Sequence, residues 1–107
     1  MSEIYSIYIL HSESADKYYV GYSRDVQARL QDHNEGERPQ QSTKYTFKHR
    51  PWRLVCSFEV GSSRGEAMKV EKYIKRQKSR RFLEKIIDIH KDLGGLAQLV
   101  RVPARRD

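Results

Sequence analysis

Arg29, His33 and Glu71 occupy or border the apolar stripes of two helical patterns, and five tyrosines (Tyr5, Tyr8, Tyr18, Tyr19, Tyr22) fall within the first 22 residues. At 100° per residue, Arg29 lies about 80° from the centre of the stripe formed by Val26 and Leu30. His33 follows one turn further along that side. Glu71 lies about 70° from the centre of a stripe formed by Ala67, Val70 and Ile74. An ionised group half-buried on each of two helices needs a partner or a ligand, because burying an unpaired charge is expensive. Each phenol turned toward a core likewise needs a hydrogen-bond partner. Two readings meet these demands: an internal Arg29–Glu71 pair with tyrosines packed around it, or a catalytic or binding cluster. Periodicity leaves both open.

The charge pattern bears on which ligand such a cluster could serve. The chain has 107 residues and a formal net charge of +7. Residues 64 to 85 hold nine basic side chains against three acidic ones, a net +6. A second basic group (Lys44, Lys48, Arg50, Arg53) is interleaved with Tyr45, Phe47 and Trp52. Clustered cations with aromatics between them suit a polyanionic backbone, whose binding is driven by counterion release; a solvated helix face is the plainer alternative. Cys56 alternates with Leu54 and Phe58 and reads as a buried structural thiol. One cysteine forms neither an internal disulfide nor a thiolate zinc site. His11, His49 and His90 show no ligand spacing with one another or with His33. No run approaches the roughly 18 apolar residues of a membrane span, and Met1-Ser2-Glu3 lacks a secretory pattern. The expectation is one small basic domain, cytoplasmic, with no membrane partner.

The elements that must position these residues can be placed. Ile4 to Leu10 is short, β-branched and aromatic, a buried strand. Tyr18 to Tyr22 pairs with it as an antiparallel hairpin, and Gly21 within it marks a bulge or a close approach to the backbone. Ser23 caps a helix from about Arg24 to Asn34, stopped by Gly36. Residues 37 to 50 form a polar link, and Arg53 to Val60 alternates as a half-buried strand. Ser63-Arg64-Gly65-Glu66 is a capping box opening a helix to about Lys78. Ser79 caps a last helix with Phe82, Ile86, Ile89 and Leu93 on one side, ended by Gly94-Gly95. The fold class is α/β in the α+β sense: a mainly antiparallel three-stranded sheet flanked by helices, in the order β-β-α-β-α-α. The domain covers 1–93, and 94–107 is a loosely held tail.

One ordered series draws these residues together. Ser6-Ile7-Tyr8 and Tyr19-Val20-Gly21 stand on adjacent strands, followed by Arg29 and His33, by Lys44-Tyr45-Thr46 in the link, and by Glu66-Ala67 and Glu71 opening a basic helix with Ile74-Lys75-Arg76. The series, spanning roughly residues 3 to 85, closely resembles the GIY-YIG nuclease family, most of all its small stand-alone members related to the N-terminal domain of the excinuclease C subunit. Ser6 stands where the family name has glycine, and the asparagine that some members carry after the glutamate helix has no counterpart, Asn34 being the only one.

The resemblance implies phosphodiester hydrolysis at a single divalent cation, magnesium or manganese, ligated by Glu71; a lone carboxylate suits an ion that keeps several waters. It implies that Tyr8 deprotonates the attacking water, which requires cationic neighbours to lower an ordinary phenol pKa of about 10. Tyr19 is implied to orient the water or phosphate, Arg29 to hold a phosphate oxygen, and His33 to assist. Lys44 matches a basic residue near the phosphate, and Gly21 the glycine of the second motif, where any side chain would crowd the substrate. Tyr45 could stack on a base or anchor its loop; Lys75 and Arg76 join the substrate-binding set. The expected function is a metal-dependent endonuclease acting on DNA by structure, as in cleavage or repair. The alternative is a module that holds nucleic acid without cutting it.

Overall fold

In the computed structural model, residues 3–36 and 44–100 are described, the side chains of residues 44 and 91–100 excepted. Three strands, β1 (Tyr5–Ser12), β2 (Lys17–Ser23) and β3 (Arg53–Gly61), form one sheet in the order β2-β1-β3, antiparallel throughout. The helices are α1 (Val26–Glu35), α2 (Lys44–Lys48), α3 (Arg64–Arg76) and α4 (Arg80–Val100). This is the α+β arrangement expected, with one short helix added where a polar link was read.

Central position explains the unbroken apolar run of β1: Ile7, Tyr8, Ile9 and Leu10 are all buried because both faces of the strand are covered. The period of two then divides the core. Ile7, Ile9, Val20 and Cys56 pack with Ile74, Val70, Phe82 and Ile86 of α3 and α4. Tyr8, Leu10 and Trp52 pack with Tyr19, Val26 and Leu30, the last two from α1. Burial also pushes the Cys56 thiol up to about 11, so it stays protonated as a structural group.

Serine caps mark the α3 and α4 starts well. Ser63 accepts from the Glu66 amide at 3.2 Å, and Ser79 accepts from the Phe82 amide at 3.1 Å. At α1 the cap is Asp25, which accepts from the Ala28 amide, while Ser23 caps only the bend before it. Asp is as good a cap as Ser, and the ambiguity is one of spacing. Helix α4 runs through Gly94-Gly95 to Val100 where a stop was expected. Glycine costs about 1 kcal/mol in a helix but does not forbid it, and Leu93, Leu96, Ala97 and Gln98 are good formers. The buried side of α4 is Phe82, Leu83, Ile86 and Ile87, with His90 stacked on Phe58; Ile89, expected inward, is exposed. The expected tail lies partly outside the described residues, from 101 on.

Candidate active site

Gly21 shows why the hairpin is built as it is. The β1–β2 register sets Tyr8 directly opposite Gly21, with no break in the pairing there. A Cβ on Gly21 would overlap the Tyr8 hydroxyl and lie 2.5 Å from its Cζ. The glycine therefore makes room for the Tyr8 ring, which is the close approach to the backbone expected, and no bulge falls there, since the register shifts of this sheet lie between β1 and β3.

Laid across that glycine, Tyr8 is 1% exposed and its hydroxyl lies 2.9 Å from His33 Nε2. The Arg29 guanidinium also faces Nε2, at 3.5 Å. A guanidinium only donates, so Nε2 carries the lone pair and Nδ1 the hydrogen. It follows that Tyr8 donates into Nε2, and that Nδ1 donates to Thr46 Oγ1 at 3.0 Å. Burial holds the His33 pKa down to about 4, with the positive Arg29 nearby adding to the effect, so the imidazole is neutral. Burial also raises the Tyr8 pKa, helped by Tyr19 and Glu71; Arg29 opposes this by charge and by a hydrogen bond but does not prevail. Tyr8 thus lacks the lowered phenol pKa that a general base would want, because desolvation outweighs one guanidinium.

Tyr19, on the same face of the neighbouring strand, packs its ring 4.9 Å from His33 and 6.3 Å from Tyr8. Its pKa is raised by burial and by Glu71, and lowered by Arg29. The two phenols therefore each feel both the guanidinium of α1 and the carboxylate of α3. Arg29 is partly exposed and bonds Asp32 at 3.4 Å. Glu71, with 16% of its side chain exposed, lies 3.5 Å from Lys75 one turn on. The Lys75 ammonium in turn sits 5.3 Å from the Tyr19 ring centroid.

Tyr8, Tyr19, Arg29, His33, Glu71 and Lys75 thus come together. Tyr45 joins them at the rim, its ring stacked 6.3 Å from Tyr19 and its hydroxyl donating to the Tyr18 carbonyl at 3.3 Å. Lys44 opens α2, but its side chain lies outside the described residues. Arg76 is not brought in: with Lys69, Lys72 and Tyr73 it lines a depression on another face of α3. The helical period explains this, since residue 76 is turned about 140° from residue 71.

Two contributors were missed. Thr46, quoted only as part of a tripeptide, is the hydrogen-bond partner of His33 Nδ1. Its carbonyl also accepts from the Trp52 indole at 2.7 Å. Asn34 clips α1 to the start of β3, accepting from the Trp52 amide at 2.6 Å and donating to its carbonyl at 2.9 Å. Nothing in their local sequence marks either, because both partners are distant along the chain.

As a donor set for a cation, the cluster offers one carboxylate and no group of three His, Cys, Asp or Glu among the described residues. Such a set fits magnesium or manganese, which can fill other positions with water and phosphate oxygens, and does not fit zinc.

A family model described as the GIY-YIG catalytic domain matches residues 4–85. UPF0213 proteins of Staphylococcus aureus strains Mu3, Mu50 and N315 are each 42% identical to this chain over 69 residues, which cover 62% of it and 78% of each of them. The hairpin carrying Tyr8 and Tyr19, the helix carrying Arg29 and His33, and Glu71 of α3 all lie inside the matched span. On this evidence of sequence, with the sheet and helix order in agreement, the chain belongs to the GIY-YIG family of nucleases.

Proposed function

We propose that this protein is a metal-dependent endonuclease that hydrolyses DNA phosphodiester bonds at the Tyr8–Tyr19–Arg29–Glu71 cluster, directed by DNA structure, as in cleavage or repair in the cytoplasm. The observation that carries the reading is that the Tyr8 hydroxyl and the Arg29 guanidinium both meet His33 Nε2, while the Tyr19 ring packs against Tyr8 and His33 and Lys75 links that ring to the Glu71 carboxylate. Each of the two charges also has an ion-pair partner on its own helix, Asp32 for Arg29 and Lys75 for Glu71.

In this mechanism Glu71 would hold magnesium or manganese, which when bound supplies positive charge to the phosphate. Arg29 donates to a non-bridging phosphate oxygen as charge builds there. Tyr19 orients the attacking water. Tyr8, protonated at rest, accepts a proton from that water while passing its own to His33 Nε2, whose lone pair already faces it. Thr46 keeps that lone pair in place by accepting from Nδ1. The near-complete burial of Tyr8 makes the water's access to its oxygen the step on which the route depends.

A nicking assay on plasmid and branched DNA with magnesium or manganese tests the proposal. Cutting is expected with the native chain and lost in Glu71→Ala. Salt-sensitive binding without cutting, unaltered by Glu71→Ala, replaces it with the binding-module reading. Neither binding nor cutting removes both.

A further inference from the structure

Next to the cluster, β2, α2, α3 and the start of α4 enclose an open cleft of about 300 Å³, lined by Tyr19, Tyr45, Ile74, Leu83, Lys75 and Lys78 among others. That volume is at the lower end of small-ligand pockets (~300–1,000 Å³). Its wall is aromatic and its rim cationic. Tyr45 is 40% exposed, its ring stacked on Tyr19 at 30° and tilted 34° to Trp52. Its hydroxyl is tethered to the Tyr18 carbonyl. Lys75 stands at the border, against both the Tyr19 ring and the Glu71 carboxylate. Lys78, at the elbow between α3 and α4, has φ of 48°, a left-handed conformation that favours glycine, yet a lysine occupies it.

We propose that this cleft is a subsite for one unpaired nucleobase, stacked on Tyr45, with the phosphates of its strand on Lys75 and Lys78. The inference rests on the phosphodiesterase reading and narrows its substrate to nucleic acid having at least one unpaired nucleotide beside the cleaved bond. A base within a duplex has both faces covered by its neighbours, so it cannot present a face to Tyr45. A flat π-face needs no particular base, which makes such a subsite sequence-tolerant. Lys75 joins the cleft to the cluster, so a base seated on Tyr45 brings the adjoining phosphate toward Arg29 and Glu71.

The test uses the full chain in chelator, without cutting, and a short single-stranded DNA carrying 2-aminopurine, compared with the same strand in a duplex. Quenching of the fluorescent base is expected on the single strand, with affinity roughly tenfold above that for the duplex. Tyr45→Ala should abolish quenching and lower affinity by a similar factor. Tyr45→Phe, which loses the tether to Tyr18 but keeps the ring, should retain both. Lys78→Gly should weaken binding without lowering the thermal midpoint, since glycine relieves the backbone while removing the ammonium. Equal binding of duplex and single strand, or quenching that survives Tyr45→Ala, overturns the inference and leaves the nuclease reading standing. Quenching with no cutting when metal is restored sinks the nuclease reading and leaves the subsite.

Discussion

Tyr8 and His33 share one hydrogen bond and are both almost wholly buried, so each constrains what the other can do. Replacing Tyr8 with Phe removes the donor to Nε2 and leaves Arg29 at 3.5 Å as its remaining described one. Tyr8→Phe is expected to abolish cleavage and to cost about 1 kcal/mol of stability, read from nicking assays and chemical denaturation. Full activity in that variant would remove Tyr8 from the mechanism. His33 makes a second demand. Its folded pKa of about 4 lies below the ordinary value of 6.5, so the unfolded chain binds the proton more readily. Its stabilising effect is complete above pH 6.5 and is lost as pH falls toward 4. The denaturation midpoint should therefore drop across that window, with a shallower slope between pH 6.5 and 5 in His33→Gln. An unchanged slope would show that His33 titrates normally. At this scale Arg29, His33 and Glu71 were legible because they broke an apolar pattern. Thr46 broke none and was invisible.

Pairing between elements decides which of these residues can meet. One strand register puts Tyr8 over Gly21, and a shift of β2 by a single residue would send Tyr19 to the face opposite Tyr8. Gly21→Ala keeps the strand but forces a methyl group into the Tyr8 ring. A loss of roughly 1–3 kcal/mol is expected, as for other overpacked cores, together with loss of cutting. Native stability in Gly21→Ala would mean that the ring has room to move. Helix α3 shows the same control through its period of 3.6: Glu71 and Lys75 face the cluster, while Arg76 lies with Lys69 and Lys72 elsewhere. Strand existence was plain from composition, and the two serine caps from short spacing. The α1 cap and the continuation of α4 were less so, since Ser23 and Asp25 compete for one role and a Gly-Gly pair weakens a helix without ending it.

The whole molecule carries +7, concentrated in the second half of α3 and the start of α4, and among its described residues no helix is long and apolar enough to cross a membrane. If Arg29, Lys75, Lys78 and one further cation each neutralise a phosphate of a single strand, the logarithm of affinity should fall against log salt with a slope of about −3. Titration of a single-stranded oligonucleotide at several salt concentrations measures it, and a slope near zero would deny a phosphate-driven interface. Family membership, strand and helix types and the outlying charged residues are all properties of local spacing, and the amino-acid order alone determined them. What required the tertiary structure was the company each residue keeps. The burial of Tyr8 beside Tyr19, the Thr46 contact to His33 Nδ1, the Asn34 clip and the packing of Tyr45 on Tyr19 all join residues 11 or more positions apart. Such contacts depend on desolvation and on packing between elements, and no periodicity along the chain records either.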